Sequence, residues 1–143
     1  GMVGGQVMDM AAETQSFGIE EVARLQQLKT GALIGFSVEA GAILGRVPPE
    51  GCAMLRSYGR DIGLAFQIAD DLLDYEGDAA IMGKASGKDG QAGKASYISI
   101  LGIDRAKAQA KMLVDQAIAH LHSYGDKADL LRDIARFSIE RDR

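Results

Sequence analysis

Apolar side chains recur at three- and four-residue intervals along most of this chain, with no competing strand-like alternation. Residues 20–45, "EEVARLQQLKTGALIGFSVEAGAILG", place Val22, Leu25, Leu28, Leu33, Ile34, Phe36, Val38, Ala42 and Ile43 close to helical spacing. Glu20 and Glu21 suit the start of that helix, where the positive end of its dipole lies. Gly45 is read as its stop and Pro49 as a first-turn residue of the next helix. That helix is predicted from about Pro49 to about Tyr75. Its apolar positions, among them Ala53, Met54, Leu55, Ile62, Leu64, Phe66, Ile68, Leu72 and Leu73, wrap most of the circumference and predict a central element.

Residues 76–96, "EGDAAIMGKASGKDGQAGKAS", hold five glycines among small and charged residues and read as a loop. A loop of this length is uncommon unless it carries function. The helical pattern resumes from Tyr97 to Ser123, with a hitch at "LGID", where Gly102 interrupts and Asp104 is the candidate cap. A last helix is expected over about Lys127–Arg141, and residues 1–14 form another, weakened by Gly1, Gly4 and Gly5. No internal repeat is visible. The predicted class is all-α, in one domain.

At 143 residues such a domain could bury about 68–70 % of its unfolded surface. The 47 % hydrophobic and 25 % charged content is ordinary for a globular chain. No uninterrupted apolar stretch is long enough for a membrane span, and "GMVGGQVMDM" lacks the basic start of a signal peptide. Cys52 is the sole cysteine, so no intrachain disulfide forms; it reads as a small core residue, and a cytoplasmic setting is expected. A net charge of −4 gives no electrostatic reason to expect nucleic acid. The charge is uneven, however: Lys84, Lys88 and Lys94 follow directly on three aspartates.

Those aspartates, Asp70, Asp71 and Asp74, interrupt the apolar run "FQIADDLLDYEGD" at 66–78. Helical geometry puts Asp70 and Asp74 on one face a turn apart, in a stripe with Gln67, and Asp71 to one side. Carboxylates this close repel unless a positive partner sits among them. Magnesium is the natural one, since it takes oxygen ligands and typically uses one or two carboxylates plus phosphate oxygens. The plainer reading is a solvated charged edge or a set of local caps; the apolar flanks instead suggest a stripe facing an interior cavity. The lysines add point-charge donors for phosphate, and the glycines let a backbone fold around an anion. "GKDGQAGKAS" is not a nucleotide-binding P-loop: five residues separate Gly87 from Gly93, Ala95 follows Lys94, and no strand precedes.

With these residues in place, the chain resembles the C-terminal part of a trans-isoprenyl diphosphate synthase of the bacterial farnesyl, geranyl or geranylgeranyl type. Five stretches match in order: "GMVGGQVMDM" (1–10), "KTGALI" (29–34), "GLAFQIADDLLD" (63–74), "GKASGKDGQAGKASY" (83–97) and "LGIDRAKAQA" (101–110). The resemblance implies that Asp70, Asp71 and Asp74 bind Mg2+ at an allylic diphosphate, with Asp70 the foremost ligand. It implies that Lys29 and Lys84 contact diphosphate oxygens and that Lys94 is a further contact. Thr30 and Gln67 would lie near the allylic carbon, and Gln6 and Asp9 would line the same cavity. Bland alternatives stay open: Lys29 as an exposed helix lysine, Gln67 as a buried hydrogen-bonder, Lys88 as a solvated charge.

The implied chemistry is ionisation of the allylic diphosphate, attack by isopentenyl diphosphate and loss of a proton. Magnesium would neutralise the leaving group in a helix-lined cavity. The implied products are farnesyl or geranylgeranyl diphosphate, and the implied assembly is a homo-oligomer. Only one DDxxD is present; the family's first aspartate-rich motif and its isopentenyl-diphosphate arginines are absent. The expectation is half of a catalytic site, inactive alone, weak in magnesium affinity and bearing exposed apolar faces. Two other readings are a noncatalytic helical partner of a full-length prenyl synthase and an isoprenoid cyclase; "KTGALI" and the glycine-lysine stretch fit a chain-elongating synthase better.

Overall fold

The computed structural model describes residues 1–81 and 97–140. Among them the chain forms α1 (Met2–Ala12), α2 (Ile19–Gln26), α3 (Ala32–Leu44), α4 (Pro49–Ile81), α5 (Tyr97–Leu101), α6 (Ile103–His120) and α7 (Asp129–Glu140). A π-helical turn, Gln27–Gly31, joins α2 to α3, and a 3₁₀ stretch, His122–Ala128, leads into α7. The described residues contain no strand, and the all-α expectation holds.

Helix α4 is central, as its wrapped apolar pattern predicts. Leu55, Tyr58, Ile62, Ala65, Ile68 and Leu72 are buried among α3, α6 and α7, although Met54, read as an apolar packing position, is exposed. The helix also runs to Ile81, so the first part of the expected loop is helical. Ala79 and Ala80 are strong helix formers there, and Glu76 pairs with Lys107 of α6 at 2.9 Å. Opposite α4, helix α6 buries Ala106, Ala110 and Ala117, small residues that let the two helices approach. Polar pairs toward both ends of α6, Glu76–Lys107 and Asp61–His120, show that α4 and α6 run antiparallel.

Helices α3 and α4 meet on glycine. A Cβ at Gly63 would stand 3.0 Å from the Cα of Gly31, and one at Gly59 3.4 Å from the Cα of Gly35. The two helices thus cross antiparallel, backbone against backbone, over one turn.

Element ends follow local chemistry, with two departures from expectation. Helix α2 opens with the Gly18 amide donating to Glu21 Oε2 at 2.6 Å, so Glu21 closes the helix start directly as well as through the dipole. Pro49 begins α4 as expected. The stop of α3 is not left-handed at Gly45 but at Arg46, with φ 51°. The Arg46 amide donates to Ile43 O and the Val47 amide to Ala42 O, a Schellman closure that carries an arginine where glycine is usual. Between α5 and α6, Gly102 itself, at φ 81°, caps α6; Asp104 lies in the first turn without capping. The last helix begins at Asp129, two residues later than expected, after Gly125 turns the chain at φ 54°. Arg132 ties this corner down by donating to Gly125 O, Leu121 O and Asp129 Oδ1. Cys52 is half-buried against the core, with its thiol donating to Val47 O at 3.2 Å.

Candidate functional site

Lys29 and Thr30 sit in the π-helical turn, a form found mostly as single turns at functional sites. Helix α1 is pressed onto this turn. A Cβ at Gly5 would meet three main-chain atoms, the Lys29 nitrogen, the Lys29 Cα (2.7 Å) and the Leu28 carbonyl carbon (2.8 Å). Only glycine fits there, and its closeness brings Asp9, one turn on, to the lysine. Asp9 Oδ2 accepts from Lys29 Nζ at 2.7 Å, in a half-buried pair. Lys29 is therefore not a loose surface lysine. Gln6, expected beside Asp9 in the same cavity, is exposed.

On α4 the stripe falls on one face in graded exposure. Gln67 is buried, at 5 % exposure, while Asp70 and Asp74 are exposed. Because Gly31 opposes Gly63 and Gly35 opposes Gly59, Gln67 lies one turn past the crossing, at the end where Lys29 and Thr30 lie on the facing π turn. Asp71 is half-buried and accepts the Tyr97 amide at Oδ2, 2.9 Å away. Lys84, Lys88 and Lys94 fall outside the described residues.

Among the described residues Asp70 and Asp74 lie at the surface. An apolar cleft of about 570 Å³ opens between α3, α4 and α7, walled by Leu33, Ile34, Val38, Tyr58, Ile62 and Leu131, and none of the predicted site residues lines it. Among the described residues no group of three or more histidines, cysteines or carboxylates is gathered tightly enough to hold an ion. Two exposed carboxylates a turn apart do fit the way magnesium is held when phosphate oxygens complete its shell.

One polar cluster was missed by the sequence reading. Asp61, buried at 5 % exposure, accepts from Arg60 Nε and pairs with His120 Nε2, each at 3.1 Å. It lies between Gly59 and Gly63 in sequence and links α4 to the last residue of α6. Its partner is 59 residues away, and only a lone aspartate in an apolar stretch could have signalled it.

Two phenols carry the clearest electrostatic signature. Burial pushes Tyr58 up to about 12. Burial first, and the Asp71 charge second, push Tyr97 up to about 12. In the unfolded chain both ionise near 10. The folded protein therefore holds these protons more tightly, and the stability they confer is whole below pH 10 and lost as pH rises through about 12. The thermal midpoint followed by circular dichroism should fall across that window; a flat profile would show that neither phenol is so buried.

A lysine-bearing π turn and an aspartate-bearing helix are thus set together in an all-helical bundle. The polyprenyl synthetase family matches residues 1–134, and the chain belongs to that family. It is 39 % identical to farnesyl diphosphate synthase of Bacillus subtilis (strain 168) over 142 residues, covering 99 % of this chain and 48 % of that protein. The farnesyl diphosphate synthase of Escherichia coli (strain K12) is 37 % identical over 147 residues, 100 % of this chain and 49 % of that one. The crystal structure of an FPP/GFPP synthase from Zymomonas mobilis superposes with a TM-score of 0.83 at 54 % identity, covering 96 % of this chain and 45 % of that one. The chain thus spans about half the length of these relatives. Among the described residues no helix is long and apolar enough to cross a membrane.

Proposed function

We propose that this chain supplies the aspartate-bearing half of a magnesium-dependent prenyltransferase that joins an allylic diphosphate to isopentenyl diphosphate, giving farnesyl or geranylgeranyl diphosphate. The observation that carries this is the seam of Gly31–Gly63 and Gly35–Gly59, which sets Lys29, Thr30 and Gln67 at one end of a single crossing, with Asp70 one turn further along α4. Asp70 and Asp74 would hold magnesium, which supplies charge neutralisation to the departing diphosphate. Lys29 binds diphosphate oxygen, with Asp9 setting the direction of its ammonium. Thr30 and Gln67 offer dipoles to the positive charge that develops on the allylic carbon. Lys84 and Lys94 add cationic contacts to the same diphosphate.

The outer faces of α1 and α3 support the half-bundle reading. Val3, Val7 and Met10 form one exposed stripe on α1, and Leu33, Phe36, Ile43 and Leu44 another on α3, with Phe36 at 70 % exposure. Such faces suit the rest of a bundle or a second copy of the chain. The test is an isopentenyl-incorporation assay on the chain alone and on the chain joined to the upstream half of the Zymomonas mobilis synthase. The chain alone should give no product. The joined protein should give product that chelator removes and that Asp70→Ala lowers at least about tenfold. A folded joined protein without activity would overturn the proposal. Should the unjoined chain instead alter the rate of an intact synthase, independently of Asp70, the partner-subunit reading would replace it.

A further inference from the structure

We infer that Asp71 is a positioning residue that fastens the start of α5 to α4, leaving Asp70 and Asp74 as the carboxylates that meet the metal; this rests on the function proposed above. On a helix Asp71 is turned about 100° from Asp70, toward the flank of the stripe. That flank is where α5 packs. Asp70 and Asp74 are exposed, whereas Asp71 is half-buried and its carboxylate already accepts the Tyr97 amide at 2.9 Å.

The need for this bond lies with Tyr97. It stands in the first turn of α5, where backbone N–H groups have no acceptor within their own helix. It is also only 4 % exposed, so water cannot readily serve instead. A carboxylate is the strongest acceptor available to such an amide. The phenol does not share in this, because among the described residues the buried Tyr97 hydroxyl has no hydrogen-bond partner. The hydrogen bond from the Tyr97 amide is a polar tie between residue 97 and the aspartate helix. Tyr97 opens α5, so the bond fixes the start of that helix against α4, and in sequence Lys94 is only three residues earlier.

Asparagine separates the two roles. Its side-chain carbonyl still accepts the Tyr97 amide, but it carries no charge for a metal. Hydrogen exchange at Tyr97, measured without metal on the 143-residue chain, reports the tie. Calorimetric titration with magnesium and inorganic pyrophosphate reports ligation. Asp71→Ala should speed Tyr97 exchange by about tenfold or more, with protection in α6 unchanged, while Asp71→Asn should stay within about threefold of the parent. Asp71→Asn should likewise keep magnesium–pyrophosphate affinity within about threefold, where Asp70→Asn loses about tenfold or more. Tyr97→Phe should leave both readouts unchanged. Equal loss of affinity in Asp71→Asn and Asp70→Asn would overturn the assignment, as would Tyr97 protection that survives Asp71→Ala. Absence of magnesium–pyrophosphate binding in the parent would count against the proposed function, with the exchange measurement still deciding the tie.

Discussion

Tyr58→Ala should remove about 3–5 kcal/mol of stability, the range for deleting a large buried aromatic side chain. Tyr58 is 1 % exposed, its ring forms part of the wall of the apolar cleft, and its hydroxyl donates to Leu131 O at 2.7 Å. It therefore joins α4 to α7 twice, through packing and through one polar bond. Tyr58→Phe isolates the second. Leu131 O belongs to a helix and keeps a backbone donor, so losing the phenol should cost only about 0.5–1.5 kcal/mol. For a single domain with a net stability of roughly 5–15 kcal/mol, the alanine variant consumes about a fifth or more of the total. Urea unfolding midpoints of the three proteins test this. If Phe and Ala were equally destabilising, the hydroxyl would be the whole connection and the packing argument would fail.

Gly5→Ala and Gly4→Ala, one residue apart, should move stability in opposite directions. Both replace glycine inside α1, which by propensity alone favours alanine by about 0.5–1 kcal/mol. At Gly4 a Cβ meets nothing within 4 Å, so that gain should be realised. At Gly5 the same atom would stand 2.7 Å from Lys29 Cα and 2.8 Å from the Leu28 carbonyl carbon. Those are main-chain atoms of a helical turn and cannot swing aside as a side-chain tip would. Overpacking of this kind costs about 1–3 kcal/mol, and lifting α1 away also separates Asp9 from Lys29. Limited proteolysis should then cut between α1 and α2 while α4 and α6 stay protected. Equal stability of Gly5→Ala and the parent would mean that α1 does not rest on the π turn.

The all-α class, the central helix and the Asp70–Asp74 stripe were legible in the sequence because each depends on spacing within one element. The burial of α3 was not. Val22 and Leu25 are buried as their period predicts, but the inward positions further on are Ile34, Val38 and Ala42, while Leu33, Phe36 and Ile43 face out. The π turn at Gln27–Gly31 explains this, since it adds a residue to one turn and advances every later position around the axis. A wheel drawn with one period over 20–45 is out of phase beyond residue 31. The Schellman closure at Arg46 was hidden because glycine is the usual residue there and Gly45 stands beside it. The partnerships of the site were hidden for another reason. Asp9–Lys29 spans 20 residues, Asp71–Tyr97 spans 26 and Asp61–His120 spans 59, and no local pattern encodes which distant group a carboxylate will meet.

The glycine seam between α3 and α4 turns the separation of two helices into a fixed gauge. Where Gly63 meets Gly31 there is no side chain to lengthen or shorten, so the gap between the lysine-bearing turn and the aspartate-bearing helix is set there by main-chain dimensions. Changes at Leu33 or Ile34 can reshape what the neighbouring cleft admits without moving that gauge. The scaffold can thus vary the room in the cleft while the spacing of the crossing stays constant.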